Sequence, residues 1–240
     1  MKNQLNPILF FVLLLSLGSC MTSFNGVKGN SNVVTETRDI DEKFNSVSAA
    51  TGLKVKIVQS SSVEVIVEAD ENLMDIIKTE VKDGVLKIYS EKNIWSAKAK
   101  NIYVQMPEIT SVAASSGSSV KSESLIKTGN FSVDTSSGSS VSLELSADAV
   151  RADASSGSTM RLSGKANSIM AEASSGSSIK STDLSTNDAS ARVSSGASIK
   201  VHTTNKLKAR ASSGGGIRYS GNPEYVDRDS SSGGSISGSK

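Results

Sequence analysis

From residue 114 to the C-terminus, small and apolar side chains alternate with polar ones in short runs broken by a recurring Ser-Ser-Gly phrase. The third residue of each phrase falls at Gly117, Gly138, Gly157, Gly176, Gly196, Gly214 and Gly233, at intervals of 21, 19, 19, 20, 18 and 19 residues. Three residues after each glycine stands an apolar residue: Val120, Val141, Met160, Ile179, Ile199, Ile217 and Ile236. Seven, five and three residues before it come further small or apolar residues, as in Phe131, Val133 and Thr135, in Val150, Ala152 and Ala154, and in Leu207, Ala209 and Ala211. A period of two predicts strands. Each unit therefore reads strand, corner, strand, return. About nineteen residues are too few for a four-stranded propeller blade and carry no helical-repeat pattern, but they suit one coil of a parallel β-helix.

In such a solenoid, equivalent residues of successive coils stack roughly 4.8 Å apart, so the inward Val, Ile and Ala residues would form a continuous core. Glycine suits the corner because it takes positive φ without a Cβ clash. The short serines beside it can line a tight bend and bond nearby backbone.

Upstream of the repeats the pattern is less regular. Leu53, Val55 and Ile57, then Val63, Val65 and Val67, alternate as strands. The stretch Asp70 to Ile77 reads as a short helical turn, and Asp83-Gly84 as a tight turn before a strand from Val85 to Tyr89. Ile102 to Met106 is another strand, ended by Pro107. These strands are expected to supply the first coils and a cap, because an uncovered solenoid end exposes unpaired strand edges.

Residues 1–19 combine Lys2 with an apolar run from Ile8 to Leu17, too short for a comfortable membrane span, and read as a secretory signal. The run ends in Leu17-Gly18-Ser19-Cys20, which resembles the bacterial lipobox; Cys20 is then the lipidated N-terminus of the mature chain. Residues 20–40 are polar and unpatterned, a tether, and residues 41–240 form one domain. Cys20 is the only cysteine, so no intrachain disulfide can form. The expected location is the bacterial cell envelope, lipid-anchored at the outer membrane, with the periplasmic or surface face left open.

Together the lipoprotein signal, Glu68-Ala69-Asp70-Glu71-Asn72-Leu73, Val81-Lys82-Asp83-Gly84-Val85-Leu86 and the Ser-Ser-Gly coils resemble the family called putative auto-transporter adhesin, head GIN domain. The resemblance runs from about Phe44 to the last coils. It implies an all-β, right-handed parallel β-helix in secreted or surface-anchored bacterial proteins, and it brings no catalytic residues to transfer. A literal Gly-Ile-Asn is absent, the nearest sequence being Gly216-Ile217-Arg218.

Composition narrows the function. The chain has 26 basic and 24 acidic residues, and removing residues 1–19 takes away only Lys2, so near-neutrality argues against a general nucleic-acid binder. His202 is the only histidine and no Gly-x-Ser-x-Gly elbow accompanies the many serines, which leaves a Ser-His-Asp triad unsupported. One histidine and one cysteine do not make a zinc site, and Gly214-Gly215-Gly216 is a corner variant rather than a phosphate-binding loop. No catalytic residue, metal or cofactor is expected.

Two rows of charge remain. Asp134, Asp153 and Glu172 stand four residues before successive glycines. Stacked, they could bind Ca²⁺ or serve as paired acids, though a solvated face relieved by Arg151, Arg192 and Arg210 is the plainer reading. Four residues after the glycines come Lys121, Ser142, Arg161, Lys180, Lys200, Arg218 and Ser237. These predict a cationic stripe, in which Arg161, Lys180, Lys200 and Arg218 are candidate contacts for an anionic glycan or another envelope protein. The plainer reading is a soluble β surface whose cations pair with neighbouring acids.

Trp95, in the expected loop Asn93 to Lys100, is the one large platform for stacking on a sugar and joins the candidate binding residues. Aromatic residues are only 4% of the chain, which weighs against a sugar-processing enzyme. The expected function is thus a non-catalytic, envelope-anchored lipoprotein presenting a binding or adhesion surface. The alternative is a β-helix enzyme acting on an acidic polysaccharide. An enzyme should bring the three acids together with Trp95 or Tyr219 in a groove; a presenting module should show open faces.

Overall fold

The structure, a computed structural model, describes residues 26–238; the signal segment and Cys20 lie outside the described residues. Nearly every strand belongs to one seventeen-stranded sheet wound upon itself. The expected parallel β-helix is present. Before the corners, Ser132–Thr135, Arg151–Ala154, Met170–Ala173, Ser190–Val193 and Lys208–Ala211 lie side by side in parallel register. After them, Val120, Val141, Met160, Ile179, Ile199, Ile217 and Ile236 do the same.

One coil shows how the pattern folds. Along Ser140–Ala154 the buried side chains are Val141, Leu143 and Leu145, then Val150, Ala152 and Ala154. Odd positions face inward before residue 146 and even ones after it. That change of parity is what turning the far corner does to a strand whose side chains alternate.

The near corner is a tight turn. In Ser155-Ser156-Gly157-Ser158 the Ser158 N–H donates to the Ser155 carbonyl at 3.2 Å, with φ of 51° at Ser156 and 70° at Gly157. Two positive φ values in succession are those of a type I′ turn. The serine before the glycine is therefore left-handed as well, which the sequence pattern did not indicate. That conformation costs a non-glycine residue roughly 1–2 kcal/mol. An offset is visible, because the Gly157 N–H donates to the Ser175 carbonyl of the next corner at 3.0 Å. The same bond recurs from Gly117 to Ser137, from Gly138 to Ser156 and from Gly176 to Ser195.

The serine after each glycine points into the core. Ser118, Ser139, Ser158 and Ser177 are at most 2% exposed, and their hydroxyls donate to the carbonyls of Ala49, Ala114, Thr135 and Ala154 at 2.8–3.0 Å. A buried hydroxyl needs such a partner. In the last coils the position holds Ala197, Gly215 and Gly234, and at Gly234 an added Cβ would strike the Ala211 carbonyl.

The N-terminal region supplies an eighth corner and the cap. Its strands are β1 (Val27–Lys28), β2 (Val33–Arg38), β3 (Ser46–Ala49), β4 (Lys54–Gln59), β5 (Glu64–Asp70), β6 (Ile77–Lys82), β7 (Val85–Ser90), β8 (Ile94–Ser96) and β9 (Lys100–Met106). Between β3 and β4 the turn Ala50-Thr51-Gly52-Leu53 has φ of 55° and 70° at its centre, and the Gly52 N–H donates to the Ser116 carbonyl. This coil is stacked out of chain order: β3 lies between β7 and Ser111–Ala114, and β4 between β9 and Ser119–Ser122. Antiparallel strands then close the end. β5 pairs with β9 and with β2, and β6 pairs with β7.

The part of the expected 20–40 tether that falls among the described residues belongs to this cap. β1 pairs with β8, β2 pairs with β5, and the Arg38 guanidinium donates to the Met74 carbonyl at 2.9 Å. Residues that read as polar linker fold here because the cap offers them open strand edges.

Asp70, at the end of β5, ties the cap together. It is fully buried and accepts N–H bonds from Ser31 at 2.9 Å, Lys98 at 3.2 Å and Ala99 at 2.9 Å. Burial alone would raise its carboxyl, but these backbone donors hold it below its ordinary value. Gly29 leaves room for it, since a Cβ there would collide with the carboxylate. The expected helical turn follows as a single 3₁₀ turn, Glu71–Leu73.

At the other end, Tyr225–Ser230 and Ser235–Gly238 pair only with the preceding coil. In the core column that runs Ala152, Ala171, Ala191 and Ala209, the last coil places Arg228, which is exposed.

Candidate functional site

Register turns the sequence rows into surface columns. Before the corners, Asp134, Asp153, Glu172, Arg192 and Arg210 stand on successive rungs and line a groove of about 670 Å³. Its walls include Ser136, Ser155, Ser174, Ser194 and Ser212. The acids are engaged by neighbours on their own face: Arg151 bonds Asp153 at 2.8 Å, and Arg192 lies 3.7 Å from Glu172. Partial burial, with Asp134 and Glu172 on either side, still raises the Asp153 carboxyl above its ordinary value against the pull of Arg151. Arg210 is held by two hydrogen bonds to the Asp227 carboxylate, at 2.9 and 2.7 Å, which raise the guanidinium and lower the carboxyl. Among the described residues no group of three or more His, Cys, Asp or Glu is arranged to hold a metal ion.

The aromatic residues that an enzyme was expected to bring to these acids are elsewhere. Trp95 is on β8 at the cap, and Tyr219 is paired with Val201 on the strands after the corner. His202 is half-buried, and its Nδ1 lies 3.1 Å from the Ser220 hydroxyl rather than near an acid.

Across the corner, the +4 residues form the stripe that the spacing predicts. Arg161, Lys180, Lys200 and Arg218 are consecutive in register. Beyond Ser142 the column continues to Lys121 and Lys56, and Lys56 Nζ lies 5.2 Å from the centroid of the Tyr103 ring. Lys121 is paired with Glu123 at 3.2 Å. Among the described residues no carboxylate forms an ion pair with Arg161, Lys180, Lys200 or Arg218. A row of hydroxyls runs beside them through Thr159, Ser178 and Ser198, where Ser198 donates to Ser178 at 3.1 Å. Trp95 does not join this row: the column reaches Arg161 only four rungs beyond Tyr103 of β9.

A second groove, of about 680 Å³, escaped the sequence reading. Phe131, Val150, Ile169 and Ala189 form its floor, Met170 stands 44% exposed on its wall, and Lys206 and Lys208 lie at one end. The available signal was Met170 itself, apolar at an outward position where other coils carry Ser132, Arg151, Ser190 and Lys208.

Solved structures share this architecture. A putative adhesin from Bacteroides fragilis is 18% identical over 89% of this chain and 100% of its own, with a TM-score of 0.82. Another from Parabacteroides merdae is 20% identical over 90% of this chain and 99% of its own, at 0.73. A protein named putative lipid binding protein, from Parabacteroides distasonis, is 20% identical over 90% and 100%, at 0.68. At these identities the likeness establishes the fold. No protein of curated function matches the chain. Residues 43–223, the cap from Lys43 through the coil after Gly214, match the family described as putative auto-transporter adhesin, head GIN domain, and the chain belongs to that family.

Proposed function

We propose that this protein is a non-catalytic binding module, held in the bacterial envelope by a lipid on Cys20, whose rigid solenoid presents a surface for adhesion to an anionic glycan or another envelope component. The observation that carries the reading is the row Arg161, Lys180, Lys200 and Arg218, four cations in register without carboxylate partners among the described residues. Individually, exposed charges bind feebly, with a screening length of about 8 Å in physiological salt. Spaced at roughly 4.8 Å on one stiff face, they meet several groups of one extended polymer together.

The enzyme alternative finds less support. Cleaving a glycosidic bond requires two carboxylates free to flank it. Here Asp153 and Glu172 each face an arginine, and no aromatic platform lines their groove.

The apolar groove around Met170 favours a second reading, an acyl chain laid along the coils with its acidic end at Lys206 and Lys208. The neighbour named putative lipid binding protein is consistent with it.

Three measurements test the proposal. Replacing Lys180 and Lys200 together by Gln should weaken binding to an immobilised acidic polysaccharide and flatten its salt dependence; unchanged binding removes the row from the site. Met170→Asp should abolish binding of a fluorescent fatty acid if the groove holds lipid. Cys20→Ala should move the protein from the detergent to the aqueous phase, and a variant that still partitions with detergent places the anchor elsewhere.

A further inference from the structure

The most exposed large apolar side chain among the described residues is Trp95, at 74%, on the cap strand β8. Its strand is firmly held. Ile94 beneath it is buried and registers with Val27 of β1; the Val27 N–H donates to the Asn93 carbonyl at 2.7 Å and the Gly29 N–H to the Ser96 carbonyl at 2.8 Å. Gly26 packs so closely that a Cβ there would lie 3.1 Å from the backbone nitrogen and the Cβ of Trp95. Trp95 is thus held on an ordered edge with its indole exposed, and neither groove described above includes it.

We infer that the capped end of the solenoid seats on the lipid surface, with the Trp95 indole in the membrane interface. The inference rests on the proposed lipid at Cys20, and chain length then does the rest. Five residues separate Cys20 from Gly26, and a fully extended chain covers at most about 3.6 Å per residue. The head groups therefore lie within roughly 20 Å of Gly26, which touches Trp95. Of the two ends of the solenoid, only the cap is held this close. An indole, with its apolar body and polar N–H, is the side chain best suited to the boundary between acyl chains and water. Lys28, Lys92 and Lys98 are exposed on the same segments, Lys28 in register with Ser96, and suit anionic head groups. A sugar-stacking role would call for polar groups converging around the ring in a pocket, and Trp95 stands clear of both grooves. The solenoid then stands on its cap, with the cationic row running away from the bilayer.

Because Trp95 is the only tryptophan and Cys20 the only cysteine, both ends of the experiment are specific. The mature chain is coupled through the Cys20 thiol to a maleimide lipid in vesicles of phosphatidylethanolamine and phosphatidylglycerol, and its tryptophan emission is recorded with and without brominated lipid. The expected result is a shift to shorter wavelength and strong quenching in the coupled protein, absent from the uncoupled one. Emission of the coupled protein that stays at the wavelength of exposed indole and resists quenching overturns the inference. So does a shift produced by added soluble acidic glycan in place of lipid. Natural lipidation is read separately, from detergent partitioning of the protein expressed in bacteria, so that failure of the anchor and failure of the seating are told apart.

Discussion

The hydroxyl of Ser158 donates to the carbonyl oxygen of Thr135, 3.0 Å away and 23 residues earlier in the chain, with the Thr135 hydroxyl at the same distance. Ser158 is 1% exposed, so water cannot replace either bond. Ser158→Ala removes both bonds; the Thr135 carbonyl keeps the Ser155 N–H at 2.9 Å while the Thr135 hydroxyl loses its Ser158 partner, and stability should fall by about 0.5–1.5 kcal/mol in urea titration. Ala197→Ser, which adds the hydroxyl to a coil that lacks it, should change stability much less, because it offers a new donor without removing one.

Gly157 presents the opposite case. A Cβ there meets nothing within 4 Å, yet φ is 70°. Gly157→Val should therefore cost about 1–3 kcal/mol through backbone strain alone. Gly157→Asn should cost less, because asparagine enters the left-handed region readily. Thermal unfolding followed by circular dichroism checks both, and equal losses for the two variants would contradict the assignment to strain.

Asp70 makes the cap sensitive to acid. Its folded carboxyl lies below the ordinary value of 3.8, so the folded state favours the ionised form. The stabilisation is present in full above that ordinary value and is lost as pH falls through the folded one. Asp70→Asn should lower stability at neutral pH and flatten its decline as pH falls below the ordinary carboxyl value, as read from urea midpoints at each pH.

Along the cationic column, Lys121 is tied to Glu123, and Lys180 is not paired with a carboxylate among the described residues. Lys180→Gln should weaken binding of an acidic polysaccharide several-fold more than Lys121→Gln at the same salt. Glu123→Gln should strengthen it by releasing Lys121. Equal effects of the two lysine changes would mean that the ligand sits elsewhere.

The repeating coils were legible because one period governs them. When Val120, Val141 and Met160 recur at one offset from a glycine, stacking is the simplest way to bury them all. The eighth corner was hidden by its wording: Thr51-Gly52-Leu53 lacks the serines, although Val47, Ala49 and Val55 stand at the same offsets. The place of β3 and β4 between later strands could not be read, because alternation marks a strand without naming its neighbour. Inside the coils, Ser158 looked like its exposed neighbours; only the substitution of Ala197, Gly215 and Gly234 at its position hinted that small size, not polarity, was required there. The charged rows followed from spacing alone, whereas which charges meet depended on side-chain placement: Arg192 reaches Glu172 and Lys121 reaches Glu123, while among the described residues no carboxylate pairs with Arg161, Lys180, Lys200 or Arg218.

Arg228 has a bearing on how such a molecule changes length over generations. By putting a guanidinium where the preceding coils have an apolar residue, the last described coil offers a poor face for stacking another, just as the antiparallel cap does at the opposite end. Both ends of the described stack are thus poor places for growth. Duplication or loss of a nineteen-residue unit remains tolerable only in the interior, where each coil meets neighbours like itself. A lineage could lengthen or shorten the shaft there in steps of roughly 4.8 Å, adding or deleting one cation of the row with each step, while its foot and its tip stay as they are.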